Sequence, residues 1–348
     1  MKKVYVSLAV GLIFLGAAFL VAMGTDGVAK HKDIRFERQE VLKKTILGFS
    51  GYELPIEIEQ FLKTSTPAGV ILFDRNIQNT NQLRQLIVSI RKVAFQPIKI
   101  LVDQEGGRVA RLRPATGFAQ EFPSAEELGR RPVSESFAAG YEIGKMLSDV
   151  GIDMNLAPVV DLAIDGGYIG SRGRAFGADI EEVASRAAAF LKGMAVWGVQ
   201  GCLKHFPGHG SARLDPHHDF TDVTHLYQSH EIEVFRRTLD LLGKDFTPYP
   251  ALLLGHLVHK DWDENYPASF SKKVIQEKVR KDLGFQGIMM TDDIEMGAIG
   301  RPVPEAMRLA IEAGVDWILI CDTQPQDQPH PPAKTIEDLE AYCAEVSH

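Results

Sequence analysis

Short apolar runs alternate with longer amphipathic segments along most of this chain, from about residue 40 onward. Short runs bounded by turn residues are typical of buried strands, and apolar residues at a three-to-four-residue period are typical of helices. The pattern predicts eight strands, at residues 45–48, 69–73, 98–102, 152–158, 199–204, 251–255, 287–291 and 316–321. It predicts helices between them, among others at residues 80–95, 134–150, 181–197, 230–242, 272–283 and 304–313.

Eight strand-then-helix units are the number that a (β/α)8 barrel requires, over a chain length of about 250 to 400 residues. A doubly wound open sheet is the alternative, but no Gly-x-Gly-x-x-Gly string follows an early strand, and polar motifs end many strands. No linker rich in Pro or Ser divides the body. We therefore expect an α/β protein with a single TIM-like barrel domain over residues 25–348, whose first or last unit can be irregular.

The N-terminus differs from the rest of the chain. Lys2 and Lys3 precede an uncharged stretch at residues 4–24, and a helix of that length spans about 30 Å, enough to cross a bilayer. A small-x-small triplet at residues 22–24 favours cleavage as a signal peptide, whereas the length favours a retained anchor. No cysteine follows that could carry a lipid anchor, and a buried core helix would normally show a polar face. We expect an extracytoplasmic protein, either periplasmic or secreted, or one attached to the membrane through residues 4–24.

Net charge and cysteine content exclude several classes of partner and site. The net charge is −8 and no basic block occurs, so the chain lacks the electrostatic signature of nucleic-acid binding. Its three cysteines, Cys202, Cys321 and Cys343, are widely spaced and odd in number, which excludes a disulfide framework and a Cys-rich zinc site. Cys202 and Cys321 lie in strand-like runs, where we expect small buried hydrophobic side chains.

A histidine-rich loop is the strongest chemical signal. Residues 203–219 contain four histidines, two aspartates and a lysine. Imidazoles that titrate near neutral pH make poor core packing, so their clustering indicates proton transfer, metal ligation or polar substrate binding rather than a merely solvated loop.

A metal-dependent hydrolase would take its ligands from this loop, namely His205, His209, Asp215 and His217. A His-x-x-x-His pair presents both rings on one face only in a helix, and Pro207 with Gly208 prevents a helix there. We therefore expect neither a metal nor a cofactor.

Charged and polar residues also follow several predicted strands. They are the string Asp-Gln-Glu-Gly-Gly-Arg at 103–108, Lys204-His205, Gly255-His256 and Thr291-Asp292-Asp293. A single aspartate after a strand is commonly a helix cap or a satisfied turn. Several such groups at the carboxyl ends of barrel strands predict an active site at that rim.

Six strings of the sequence resemble glycoside hydrolase family 3, most closely its single-domain β-N-acetylhexosaminidases of the NagZ type. They are GVILFDRNI (69–77), VDQEGGRV (102–109), NLAPVVD (155–161), RAFG (174–177), KHFPGHG (204–210) and TDDIEMGAI (291–299). The resemblance implies a retaining β-glycosidase on a TIM-like barrel without a second sandwich domain. It also implies a carbohydrate substrate, with peptidoglycan fragments as the usual source.

The resemblance assigns roles to individual residues. Asp292 corresponds to the nucleophile, and Asp293 is then a neighbour that caps a helix. Asp215 and His217 correspond to an acid/base dyad with Pro216 between them. The sugar-binding residues that it implies are Asp103, Arg111, Arg174, Lys204 and His205. His209 is expected to shape the loop.

The chemistry agrees with those roles. A retaining glycosidase needs a carboxylate on one side of the anomeric carbon and a proton donor near the glycosidic oxygen. No second carboxylate is an obvious donor, and His217 can replace it because imidazole titrates near neutral pH, with Asp215 orienting the ring. Asp292 must stay ionised, which Lys204 and Arg174 would favour if they reach the same pocket.

Several alternatives stay open. His218 adjoins His217 and could be the proton donor, and Arg172 competes with Arg174 for the sugar pocket. The rival functions are a β-glucosidase of the same family and a catalytically inactive protein that binds cell-wall sugars. Chitin oligomers would fit the same sugar pocket as peptidoglycan fragments. We expect the protein to act as a monomer.

Overall fold

The computed structural model describes residues 38–214, 221–322 and 332–345. Its main sheet has eight strands, all parallel to their neighbours. They are β1 (Thr45–Leu47), β2 (Gly69–Leu72), β3 (Lys99–Val102), β4 (Met154–Asn155), β5 (Cys202–Phe206), β6 (Ala251–Leu254), β7 (Met289–Asp293) and β8 (Trp317–Ile320).

Hydrogen bonding closes this sheet into a barrel. The ladder runs from β4 through β3, β2, β1, β8, β7 and β6 to β5. Parallel bridges from Met154 to Gln200 and from Val159 to Lys204 join its two edge strands. Every strand therefore has a neighbour on both sides, as barrel closure requires.

A helix follows each strand. The helices are α1 (Ile56–Thr64), α2 (Thr80–Val93), α3 (Val133–Val150), α4 (Ile180–Ala195), α5 (Glu231–Leu242), α6 (Lys272–Val274, continuing as the π-helix Ile275–Asp282), α7 (Val303–Ala313) and α8 (Pro332–Glu345). Each long helix buries one apolar stripe against the barrel, as Leu83, Leu86, Ile87 and Ile90 do in α2. Residues 38–42 are also helical, and short helices at Ala125–Gly129 and Tyr168–Ser171 lie in the connections.

The barrel interior has its own apolar cluster, to which all eight strands contribute. Its strand members are Ile46, Ile71, Leu101, Met154, Cys202, Ala251, Leu253, Met290 and Leu319, with Leu156 and Cys321 beside strand ends. A larger cluster fills the layer between strands and helices. The barrel is thus a packed core, and a ligand can be bound only at its ends.

The predicted fold class is confirmed, since every predicted strand overlaps an observed one. The burial expected of Cys202 and Cys321 is confirmed as well. The last unit is regular rather than irregular: Leu339, Tyr342 and Cys343 of α8 are buried, and the helix packs against α7 and α1. Residues 1–24 lie outside the described part of the chain. Among the residues that the structure describes, no helix has both the length and the hydropathy of a membrane span.

Candidate active site

Strand alternation places two charged residues at the carboxyl end of the barrel. Successive side chains of a strand point to opposite faces, so a residue two positions beyond an interior residue also points inward. Asp103 lies two residues after Leu101 of the interior cluster, and Lys204 lies two residues after Cys202. The Lys204 Nζ atom is 2.5 Å from Asp103 Oδ1. This contact between the ends of β3 and β5 locates the site at the rim predicted from the sequence.

Two carboxylates and two cations form one buried cluster there. Lys204 Nζ also lies 2.7 Å from Glu105 Oε1. Arg174 contacts both oxygens of Glu105, Nε at 2.9 Å and Nη2 at 2.7 Å. Burial opposes the charge on each group, but the opposite charges outweigh it: the pKa of Glu105 is far below its usual range, and those of Lys204 and Arg174 are raised. All three groups are therefore charged at neutral pH.

Arg111 lies at the edge of this cluster. Its guanidinium is 3.7 Å from Asp103 Oδ2 and 3.7 Å from Asp74 Oδ1, and it lies over the ring of Phe73. Asp74 is also paired with Arg113. Asp103 and Arg111 keep about a fifth and a quarter of their side-chain surface exposed, whereas Lys204 is almost completely buried. Asp103 and Arg111 are thus the members of this group best placed to meet a ligand.

A buried aspartate holds His205. Asp161 Oδ2 lies 2.7 Å from His205 Nδ1, and Asp161 also accepts hydrogen bonds from the backbone N–H groups of His205 and His209. Burial would raise the pKa of Asp161, but the neighbouring His205 lowers it below its usual value. The ionised carboxylate can only accept, so Nδ1 carries the proton, and Nε2 is the ring atom that can face a ligand.

His209 is enclosed beside His205, with 5.7 Å between the ring centroids. Burial, with the proximity of His205 acting in the same direction, lowers the pKa of His209 to about 4. Among the described residues, neither ring nitrogen of His209 has a hydrogen-bond partner. His209 is therefore neutral at physiological pH.

Asp292 and Asp293 occupy the end of β7 but differ in their surroundings. The Asp293 carboxylate accepts hydrogen bonds from the backbone N–H groups of Glu295 and Cys321. Asp293 was expected to cap a helix; it caps a turn instead, because residues 294–299 do not form a helix. Asp292 is half-buried and accepts from the Asp293 N–H at 2.9 Å.

The Asp292 carboxylate faces the same end of the barrel as the buried cluster. Burial raises the pKa of the Cys202 thiol, and the charges of Asp103 and Asp292 add to that rise while Lys204 opposes it. Burial likewise raises the pKa of Cys321, with a contribution from Asp292. Both thiols belong to the interior cluster of the barrel. Asp292 therefore lies at the same end as Lys204 and Asp103. The ion pairs that the structure describes for Lys204 and Arg174 are with Asp103 and Glu105.

Two further residues singled out in the sequence occupy other positions. Both ring nitrogens of His256 have partners, Ser269 Oγ at 2.7 Å and the Asp293 carbonyl at 2.9 Å, so His256 joins the end of β6 to that of β7. Arg172 is exposed and lies over the ring of Tyr168, whereas Arg174 contacts Glu105. Of these two arginines, Arg174 is the one that joins the buried cluster. Asp215, His217 and His218 lie outside the described residues.

Glu105 and Asp161 belong to the candidate site by their contacts, but the sequence interpretation did not assign them. Both occur in strings that had been noted, VDQEGGRV and NLAPVVD. Glu105 lies two positions beyond Asp103, a spacing that could have marked it as facing the same way. Its partner Arg174 lies 69 residues further along the chain, so the ion pair itself has no sequence signal.

The arrangement is suited to binding an uncharged polar ligand beside a carboxylate. Fixed charged donors and acceptors surround a barrel mouth, and Asp292 lies at the same end. His205 and His209 are not on a helix, because β5 continues to Phe206 and a turn follows. In the described ranges, no three His, Cys, Asp or Glu residues are grouped as a metal site requires.

The family model called glycosyl hydrolase family 3 N terminal domain matches residues 42–343. The chain belongs to glycosyl hydrolase family 3. Curated relatives include the beta-hexosaminidase of Vibrio cholerae, 36% identical over 281 residues that cover 79% of this chain and 82% of that one. The beta-hexosaminidase of Tolumonas auensis is 35% identical over 306 residues, covering 84% of this chain and 89% of that protein.

Solved structures agree with this assignment. NagZ from Neisseria gonorrhoeae is 28% identical with a TM-score of 0.70, over 87% of this chain and 96% of that one. A family 3 beta-N-acetylglucosaminidase from Paenibacillus is 30% identical with a TM-score of 0.78, over 88% of this chain. This chain spans 57% of the length of the Paenibacillus chain. As a family member, the chain is a glycoside hydrolase with a (β/α)8 barrel.

Proposed function

We propose that this chain is a retaining exo-β-N-acetylhexosaminidase that removes terminal β-linked N-acetylglucosamine. The observation that carries the proposal is the buried cluster of Lys204, Asp103, Glu105 and Arg174 at the carboxyl end of the barrel, the same end at which Asp292 lies. Such a cluster provides fixed donors and acceptors for sugar hydroxyls and an acetamido group. The relatives named beta-hexosaminidase and beta-N-acetylglucosaminidase support the same choice.

The proposed reaction uses two catalytic groups, the Asp292 carboxylate and the His217 imidazole. The Asp292 carboxylate attacks the anomeric carbon, the glycosidic bond breaks, and His217 gives its proton to the departing oxygen. The neutral His217 then takes a proton from water as that water attacks the anomeric carbon, which releases the sugar and restores the Asp292 carboxylate. Asp215 orients the imidazole. Asp103, Arg111, Arg174, Lys204 and His205 hold the ring.

A panel of aryl β-glycosides tests the activity. We expect clear turnover of the aryl β-N-acetylglucosaminide and little of the aryl β-glucoside, because the pocket is proposed to recognise the acetamido group. The opposite ranking would assign the chain to the β-glucosidase branch. Absence of turnover on both, with binding of N-acetylglucosamine retained, would favour a sugar-binding protein.

Trapping the intermediate tests the two catalytic roles. In His217→Ala, an aryl sugar with a good leaving group needs little protonation, so the first step survives while the second slows. Mass spectrometry should then find one sugar on the peptide that contains Asp292. Natural substrates should react about 10²- to 10⁴-fold more slowly. An adduct on another carboxylate, or this behaviour in His218→Ala instead, would refute the assignment.

We also propose a biological setting for the enzyme. The apolar stretch at residues 4–24 supports an extracytoplasmic enzyme, attached to the membrane or released from it. That location agrees with peptidoglycan fragments as the substrate. We further propose that the active form is a monomer. Cell fractionation, sedimentation of the purified protein and a comparison of muropeptides with chitin oligomers test these three points separately.

A further inference from the structure

A groove lies in the helical layer, outside the barrel mouth that holds Asp103 and Lys204. Its walls come from α5 and the segment before it, from the connection between β6 and α6, and from the π-helix of α6. Its volume is about 280 Å³. We call it the outer groove, and its lining includes Tyr227, Ile232, Arg236, His259, Trp262 and Lys278.

Three rings form an apolar part of the outer groove. His259 and Trp262 are stacked, with 4.2 Å between their centroids and 6° between their planes. Tyr227 meets both rings in a T-shaped arrangement, at 5.4 Å and 5.0 Å. Burial lowers the pKa of His259, so its ring is neutral at physiological pH. The three rings hold one another in place, and the surface that they offer is therefore formed before any ligand binds.

The charged groups beside these rings are already paired. Lys278 Nζ lies 5.8 Å from the centroid of the Trp262 ring and 3.0 Å from Asp282 Oδ2. Arg236 Nε lies 3.1 Å from Glu233 Oε2, and Arg236 Nη1 donates to the Asp282 carbonyl at 2.7 Å. An ammonium and a guanidinium have more donors than these contacts use, and a carboxylate accepts several hydrogen bonds. The groove thus offers donors and acceptors with balanced charge, which suits a neutral polyhydroxyl ligand better than an anion.

One wall of the outer groove is a rare element. Residues 275–282 form a π-helix, and both Lys278 and Asp282 belong to it. Segments of π-helix are uncommon and are often found at functional sites. The sequence IQEKVRKD at these positions contains neither Gly nor Pro, so no residue of the segment itself breaks an α-helix. A functional reason for the wider helix is therefore favoured.

A second, smaller concavity adjoins the outer groove. Its volume is about 170 Å³, and Trp262 and Lys278 line it as well. Its other charged lining residues again carry both signs, namely Asp261, Lys273 and Glu277. Two concavities that share a ring and a cation are suited to two consecutive units of one chain.

We propose that the outer groove and this smaller concavity form a second saccharide-binding site, at which consecutive sugar units pack on Trp262 and exchange hydrogen bonds with Lys278 and Asp282. Pyranose rings have apolar faces that pack on aromatic side chains, and their hydroxyls both donate and accept. The class of ligand follows from the rings and the paired charges. The choice of N-acetylglucosamine oligomers as the probe rests on the proposed function.

Tryptophan fluorescence of Asp292→Ala measures this binding without turnover. With N,N′,N″-triacetylchitotriose we expect a saturable change that Trp262→Phe loses and Trp197→Phe retains. Lys278→Met keeps the aliphatic stem and removes the ammonium, and it should raise Kd about 10-fold. Lys92→Met, which removes an exposed lysine from the last turn of α2, is the matched control and should keep the original Kd.

Two further measurements separate the outer groove from the catalytic mouth. Asp103→Ala, added to Asp292→Ala, should leave the fluorescence response unchanged. In otherwise wild-type protein, Lys278→Met should keep kcat and KM for the aryl β-N-acetylglucosaminide within about 2-fold of wild type. A response that disappears with Asp103→Ala would come from the catalytic mouth and would refute the second site.

Other results also decide against the proposal. Equal Kd values for Lys278→Met and Lys92→Met would refute it, and so would a response to inorganic phosphate with none to saccharides. If Trp262→Phe does not fold, titration calorimetry of the two lysine variants decides by the same criterion.

Cellotriose distinguishes failure of this site from failure of the proposed function. A response to cellotriose alone would support a saccharide site and refute the choice of N-acetylglucosamine oligomers, and no response to either trisaccharide would refute the site. Failure of the proposed function is observed separately, as wild-type protein that hydrolyses no aryl β-N-acetylglucosaminide.

Discussion

The two carboxylates and two cations of the buried cluster depend on one another. Each charged group has left water, and its desolvation is offset only while its partners are present. Arg174 has a bidentate partner in Glu105, and Lys204 is shared between Asp103 and Glu105. Glu105 therefore holds both cations in the position from which we propose that they bind a sugar.

Glu105→Gln should damage stability and binding together. The amide keeps the shape but removes the charge, which leaves Lys204 and Arg174 with Asp103 as their remaining anion in the cluster. Breaking a buried ion pair costs about 3 to 5 kcal/mol. We expect a loss of that order in urea denaturation, and a KM for the aryl β-N-acetylglucosaminide raised about 10-fold or more, since charge-assisted hydrogen bonds contribute about 1.5 to 3 kcal/mol.

Glu126→Gln is the matched control for this substitution. Glu126 forms an exposed pair with Arg130, and such pairs contribute about 0 to 1 kcal/mol. Its stability and KM should both stay close to wild type. Equal behaviour of the two variants would mean that the buried cluster does not position the cations.

At the scale of elements, the hydrophobic pattern located every strand but misplaced several ends. The prediction for β7 stopped at Thr291, and that for β5 stopped at Lys204, where the apolar runs stop. The observed strands continue to Asp293 and Phe206, because ladder hydrogen bonds use the backbone and do not depend on side-chain polarity. Lys204, His205, Asp292 and Asp293 therefore lie within strands rather than after them.

For β4, the predicted strand is longer than the observed one. Residues 152–158 were predicted as a strand, but the ladder is confined to Met154–Asn155. Pro158 has no N–H to donate, so regular pairing cannot continue through it. The barrel is closed there by single hydrogen bonds, from Cys202 to the Ala157 carbonyl and from Val160 to the Lys204 carbonyl.

The contact between α3 and α4 depends on glycines. A Cβ at Gly140 of α3 would overlap the Phe190 carbonyl oxygen of α4, and a Cβ at Gly193 would overlap the Phe137 carbonyl oxygen. Alanine stabilises a helix by about 1 kcal/mol relative to glycine, so helix propensity alone favours alanine at these positions. The glycines are retained because the two helix backbones lie too close for a methyl group.

Gly140→Ala should therefore destabilise the protein despite its better helix propensity. Overpacking typically costs about 1 to 3 kcal/mol, which lowers Tm by about 1.5 °C per kcal/mol in a protein of this size. Differential scanning calorimetry measures the effect. Gly177→Ala serves as control, because a Cβ at Gly177 meets no described atom within 4 Å. A Gly140→Ala variant as stable as wild type would mean that α3 and α4 can move apart without any loss of stability.

At the scale of the molecule, the sequence predicted the barrel and its active rim because both arise from local patterns. The alternation of strands and helices predicts the fold, and the charged residues at the strand ends predict which rim carries the site. The pairings at the site have no such signal: Lys204 meets Asp103 across 101 residues, and Asp161 meets His205 across 44. Closure of the barrel brings them together, so they follow only from the three-dimensional structure.

The enclosed His209 should make the stability of the whole protein depend on pH. Its pKa of about 4 lies below the value of about 6.5 for an unfolded histidine. Between these values the unfolded chain binds a proton that the folded chain does not, so stability falls as pH falls. Lowering the pH from 7.5 to 5 should cost about 2 kcal/mol through this residue. Urea denaturation at the two pH values measures the loss.

His209→Phe should remove that part of the pH dependence, whatever its effect on stability at pH 7.5. The other charged groups that face His209 are His205, Asp161 and Arg174, and the variant retains them, so the difference between the two slopes isolates His209. His230→Gln removes an exposed histidine at the start of α5 and should keep the wild-type slope. Equal slopes for wild type and His209→Phe would show that His209 protonates without unfolding the barrel, and the neutral, enclosed state assigned to this ring would then be wrong.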